Sequence, residues 1–271
     1  MPSSPPQSRA AQAAFRCAVI LAVLGLGAMS GGCVSSKYRR APRDTPPPVA
    51  LDLKVDSAPL AATLNTVITY NGPGSWKRNA FWDEYVFTLH NTGDQPLVVT
   101  AVALQDHAGK PLAAGNQPWA LEKESKTQER RYKEAGVAFA RYALPGTLIA
   151  GAGAAAAIGS MSIMGSTASA GAGAAATASV VALPLYYLAV ASINHSNKKD
   201  MTFEFNRRNL SLPLALAPGE KKSGSFFFPV AVSPSQITFH GSGGTQATET
   251  VLVLGGLQGL HTKPPTGIVI R

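Results

Sequence analysis

The sequence predicts a mainly β protein: an antiparallel sandwich interrupted by a long helical insertion. Short alternating or β-branched runs fall in two blocks, residues 51–112 and 209–271. Turn residues separate the runs inside each block, the pattern of an all-β domain. Between the blocks, residues 113–208 switch to helical spacing and then lose every charge.

In chain order, residues 1–32 read as a signal peptide. Arg9 and Arg16 make a basic start, the apolar run Cys17–Met29 follows, and Ser30-Gly31-Gly32 are small. That run has 13 residues, short for crossing a hydrocarbon core of about 30 Å. Small residues followed by Cys33 resemble the lipobox of bacterial lipoproteins. The resemblance implies diacylglycerol on the Cys33 thiol and cleavage just before it. That family has an aliphatic residue three before the cysteine, where this chain has Ser30. An ordinary signal cut between Ala28 and Gly32, or an uncleaved anchor, is the alternative. Val34 follows the cysteine, which by enterobacterial sorting rules implies the outer membrane, facing the periplasm. Residues 33–50 are polar, basic and rich in proline, a spacer that cannot bury enough apolar area to fold.

The first strand block holds Leu51–Val55, Leu64–Tyr70, Phe81–His90 and Pro96–Leu104. Asn91-Thr-Gly-Asp-Gln95 and His107-Ala-Gly-Lys-Pro111 are turns by composition. The second block holds Leu210–Leu216, Ser223–Val232, Gln236–His240, Glu249–Leu254 and Ile268–Ile270, with Ala217-Pro-Gly-Glu220 placed for a type II turn. FTLHNTGDQPLVVTAVALQDHAGKPL and the later LAPGEKKSGSFFFPV resemble bacterial immunoglobulin-like domains of exported proteins. The resemblance covers about residues 51–112 and 209–260 and implies binding or building roles rather than a particular reaction.

In the insertion, Trp119–Tyr142 is a charged helix with Glu122/Lys126 and Glu129/Lys133 four apart, acid first. It reads as a solvated stalk. From Tyr142 to Asn197 there are 56 residues without Asp, Glu, Lys or Arg. Residues 143–193 divide at Gly165–Ser169 into two halves, each about long enough to cross a bilayer as a helix. Arg130, Arg131, Lys133 and Arg141 flank one end, and Lys198, Lys199, Arg207 and Arg208 the other. Small residues recur every four: Gly151, Ala155, Gly159, then Gly165, Ser169, Gly173. Such faces let helix backbones approach, and the run resembles the glycine-zipper segments of envelope proteins. The leading expectation is a Gly/Ala-rich hairpin in or on a membrane, self-associating through those faces into a homo-oligomer. A hairpin packed against protein, or a low-complexity loop, also fits the composition, because Ala and Gly supply little driving force and Pro184 interrupts the second half.

The chain carries 24 Lys+Arg against 15 Asp+Glu, and removal of Arg9 and Arg16 with the signal leaves +7 from Cys33 onward. That excess suits anionic lipid; a nucleic-acid partner is not expected, because the basic residues lack interleaved aromatics. Cys33 is the one cysteine left after processing, which excludes an intrachain disulfide and thiolate zinc sites. His90, His107, His195, His240 and His261 are scattered without metal-ligand spacing, and Asp83-Glu84 point to opposite faces of a strand. No cofactor, metal or catalytic residue is expected. The sequence predicts a structural or interaction lipoprotein of the cell envelope, or else a periplasmic ligand- or partner-binding module whose insertion is a spacer.

Overall fold

A computed structural model describes residues 39–40, 47–141, 195–244 and 246–263. Among the described residues the protein is mainly β, with two large antiparallel sheets, a two-stranded β1–β4 pair, two α-helices and a 3-10 turn at Gly255–Leu257. The strands are β1 (Arg39–Arg40), β2 (Leu53–Asp56), β3 (Leu60–Ile68), β4 (Lys77–Arg78), β5 (Asp83–Asn91), β6 (Leu97–Gln105), β7 (Pro111–Ala113), β8 (Leu214–Leu216), β9 (Lys221–Phe228), β10 (Gln236–Gly243) and β11 (Gln246–Val253). Helix α1 is Pro118–Glu134 and the described part of α2 is 195–208.

One sheet runs β2-β3-β5-β9; the other runs β11-β10-β6-β7, with β8 on the same edge of β6 as β7. Their inward faces share a core. Alternation decides which residues enter it: Tyr85, Phe87 and Leu89 from β5 meet Phe226 and Phe228 from β9, and Val102, Leu104, Ile237 and Phe239 from the other sheet. Phe87 stands edge-on to Phe239 with centroids 5.3 Å apart, joining the two sheets. Beside the sheets, β1 pairs with β4, Arg39 opposite Arg78.

The turns obey their local chemistry. Asn91 ties two of them together. Its Oδ1 accepts from Gly93 N–H, and its Nδ2 donates to the Gln95 and Leu216 carbonyls. Gly219 has φ +72° and Glu220 N–H donates to Ala217 O, as a type II turn requires. A bulge between His240 and Gly241 shifts the register of β10 against β6. A Cβ at Gly241 would stand 2.7 Å from the Val98 carbonyl oxygen, so the bulge needs glycine.

α1 ends earlier than composition suggests. Gly136 takes φ +74°, Gly136 N–H donates to Lys133 O, and Val137 N–H reaches back to Tyr132 O. Those bonds are a Schellman stop. The expected solvated stalk is instead a docked helix: Leu121, Ser125, Gln128 and Tyr132 recur on its buried face. That face is mostly polar, so an apolar periodicity does not reveal it. The expected pairs Glu122–Lys126 and Glu129–Lys133 form at 2.6 Å on the rim. The 33–50 stretch, read as a free spacer, is held at β1 and again where Thr66 Oγ1 donates to Val49 O and Leu51 N–H to Asn65 O. Backbone pairing and one threonine hydroxyl supply these holds, and composition does not signal them.

Candidate functional site

The chemistry-bearing residues gather where β4 leads into β5. Trp76, Lys77, Asp83 and Glu84 come from this corner, and the rest arrive from far along the chain. α2 lies on the outer face of β5 and β9, with Phe205 stacked on Phe227 at 4.0 Å and edge-on to Trp82 at 6.1 Å. Trp119 of α1 closes on Trp82 from another side at 6.0 Å. Phe139, just past α1, meets Phe81 at 6.4 Å.

Two carboxylates are sealed beneath these rings. Asp83 and Glu84 are both 0% exposed, and as neighbours on a strand they serve opposite faces. Glu84 accepts from Trp76 Nε1, from Ser225 Oγ at 2.7 Å and from Arg208 Nη1 at 3.4 Å. Asp83 Oδ2 lies 2.8 Å from His261 Nε2. The other ring nitrogen, Nδ1, faces Ala140 O at 3.1 Å. A carbonyl only accepts, so Nδ1 carries a proton, and the pair holds one further proton between Nε2 and Asp83.

Lys77 is also fully buried, its ammonium 5.5 Å from the centroid of the Trp82 ring. Burial pulls its pKa down to about 8, against the attraction of Glu84 and Asp83. Burial raises the Tyr85 phenol well above its usual range, and nearby Asp83 adds to the shift. Tyr132 is raised likewise, by burial first and then by Asp106, whose Oδ2 accepts its hydroxyl at 3.1 Å.

This arrangement holds chain segments together. Both nitrogens of His261 are engaged, the ring is 0% exposed, and Ser225 is bound to Glu84 rather than to a base. A nucleophile would need a free base within reach of solvent, and this pair offers none. What it fixes is the first root of the insertion. Ala140 N–H donates to His261 O and Lys263 N–H to Ala138 O, so residues 138–140 and 261–263 run as a short ladder. Arg141 bonds Glu129 through Nε at 3.1 Å and lies 5.1 Å over Phe81. Its bonds and those of Lys133 outweigh burial and hold the Glu129 carboxyl below its ordinary range. The second root is α2, whose Lys198 lies 5.3 Å over Trp119. Near its end, Arg207 and then Arg208 hold Glu204 down to about 2.

Of the flanking basic residues, Lys133, Arg141, Arg207 and Arg208 make ion pairs within the protein. Cys33, Gly151, Ala155, Gly159, Gly165, Ser169 and Gly173 lie outside the described residues, as does the 143–193 hairpin. Among the described residues, no helix is long and apolar enough to cross a membrane, and no three metal-ligand side chains cluster. His240 is half-exposed, 4.0 Å from Glu249. A shallow open depression bordered by Lys110, Lys123, Glu124 and Arg131 lies on the solvent face of α1.

Sequence reasoning missed the His261–Asp83 pair and the burial of Lys77. The first joins residues 178 apart, and no spacing rule reaches that far. No family model, no curated protein and no solved structure matches this chain.

Proposed function

We propose that this chain is a cell-envelope lipoprotein with a structural or protein-interaction role. Lipid on Cys33 anchors it, an immunoglobulin-like domain stands at the membrane, and residues 143–193 form a second attachment to lipid or to copies of the chain. The observation that carries the reading is the convergence of both insertion roots on the Phe81–Trp82 corner, at the two ends of a 56-residue run without charge. A segment that leaves and returns at one place, with basic residues at both ends, suits a hairpin entering one surface. Strand order supports the immunoglobulin-like part. β5 lies between β3 and β9, and β10 between β6 and β11, as strands A-B-E and C-F-G are ordered in such domains. The outer membrane remains the proposed address, from Val34.

Fractionation tests the reading. Wild-type protein takes up a fatty-acid analogue and Cys33→Ala does not; label retained by Cys33→Ala removes the anchor. Cys33→Ala still pellets with membranes, and becomes soluble when residues 143–193 are also deleted. Solubility of both variants removes the hairpin.

One observation favours a second reading, a periplasmic binding module. The outward face of the β11-β10-β6-β7 sheet is nearly free of charge. Val251, Thr238, Ala103 and Ala113 form one row across it, and Val253 beside them is 67% exposed. A sheet face of this kind suits a protein partner.

A further inference from the structure

Three chain exits meet at one end of the β domain. β1, six residues after Cys33, pairs with Lys77–Arg78. Arg141, where the described chain stops before the insertion, lies over Phe81. Lys198, at the return, lies over Trp119, which touches Trp82. Residues 76–82 therefore contact the tether and both roots. The turn at Asn91–Gln95 is at the other end of β5, a strand of 9 residues, or about 30 Å away.

We infer that the β1–β4 and Phe81–Trp82 end faces the membrane and meets anionic phospholipid headgroups, so that the insertion leaves toward the same bilayer that holds Cys33. This rests on the lipid anchor proposed above. Chain length sets the geometry. The six residues from Cys33 to Arg39 span at most about 20 Å fully extended, less than the length of β5. A lipid on Cys33 therefore cannot hold the Asn91–Gln95 end against the surface while this end stands away.

Charge agrees with the orientation. The described segments 39–40, 76–84, 129–141 and 198–200, which carry the three exits, hold ten Lys/Arg against five Asp/Glu; the rest of the chain after Cys33 holds twelve against ten. Most of the positive excess thus belongs to the end that the tether draws to the bilayer, and Arg78, Arg130 and Lys199 are exposed there. Phe203, one turn from Lys199 on α2, is 65% exposed, a ring that a lipid interface accepts.

The test uses full-length protein in vesicles of phosphatidylethanolamine and phosphatidylglycerol containing a headgroup-spin-labelled lipid. A fluorophore is placed on Arg78→Cys or on Asp94→Cys. Lipidation blocks the Cys33 thiol, so the parent protein takes up no fluorophore. The expected result is quenching at position 78 several times that at position 94, falling when phosphatidylcholine replaces phosphatidylglycerol. Equal quenching at the two positions, or more at 94, overturns the orientation while the anchor stands. Quenching at 78 that ignores headgroup charge overturns the anionic-lipid contact. A parent protein that takes up the fluorophore and fails to bind vesicles overturns the anchor itself, and this inference with it.

Discussion

Lys77 has no exposed surface, and its amine loses its proton near pH 8 rather than near 10.5. Below pH 8 the folded and unfolded chains both carry that proton, so the burial penalty is constant. Between the two values the folded chain releases it and the unfolded chain keeps it. Raising the pH through this window removes a penalty that only the folded state bears, and stability rises. Urea denaturation across that window should find wild type gaining about 3 kcal/mol relative to Lys77→Met. Comparing the two proteins cancels the opposite contribution of Tyr85 and Tyr132, whose raised phenols act above about pH 10. Parallel curves for the two proteins would mean that the lysine is charged in the fold. None of this is legible in the sequence, where Lys77 sits in WKRN beside Arg78 and Asn79 and gives no sign of burial. Asn91 is the opposite case. Asn-x-Gly before Pro-Leu marks a turn, and the side chain makes the bonds such a turn requires.

At the scale of elements, the strands were legible because their inward positions are apolar and alternate, down to Phe226 and Phe228 against Tyr85 and Phe87. The seating of α1 was not. It depends on fit, and one close approach in the first turns of the helix is between Leu121 and a glycine. A Cβ at Gly115 would stand 2.6 Å from Leu121 Cδ2, and Leu121 is itself 2% exposed, locked among Trp82, Phe205 and Phe227. Gly115→Val should therefore cost about 1–3 kcal/mol by overpacking. Gly255→Ala, with nothing within 4 Å of the new carbon, should stay within about 0.5 kcal/mol of wild type. Chemical denaturation of both variants checks the pair; equal stabilities would mean that α1 is not held through Leu121.

For the whole molecule, the described residues on either side of 143–193 already make contacts that close the β domain. Phe139, Arg141 and His261 secure one root, and Phe205, Trp82 and Glu84 the other. Replacing 143–193 by a short Gly/Ser linker should leave the melting temperature within about 4 °C of wild type, measured by circular dichroism. A larger fall would mean that the insertion helps hold the strands. The mainly β class was legible because the strand runs alternate and are rich in β-branched residues; the meeting of the exits was not, because it depends on contacts between residues far apart in the chain. The His261–Asp83 pair has a consequence in time. Polypeptides are made from the amino end. Asp83 is made 178 residues before the imidazole that covers it, and until then its carboxylate has no imidazole partner and the ladder at 138–140 has no second strand. Closure of this corner is thus a late event that only a chain made through residue 263 can reach. A product that stops earlier leaves the Asp83 carboxylate without its imidazole and the corner open.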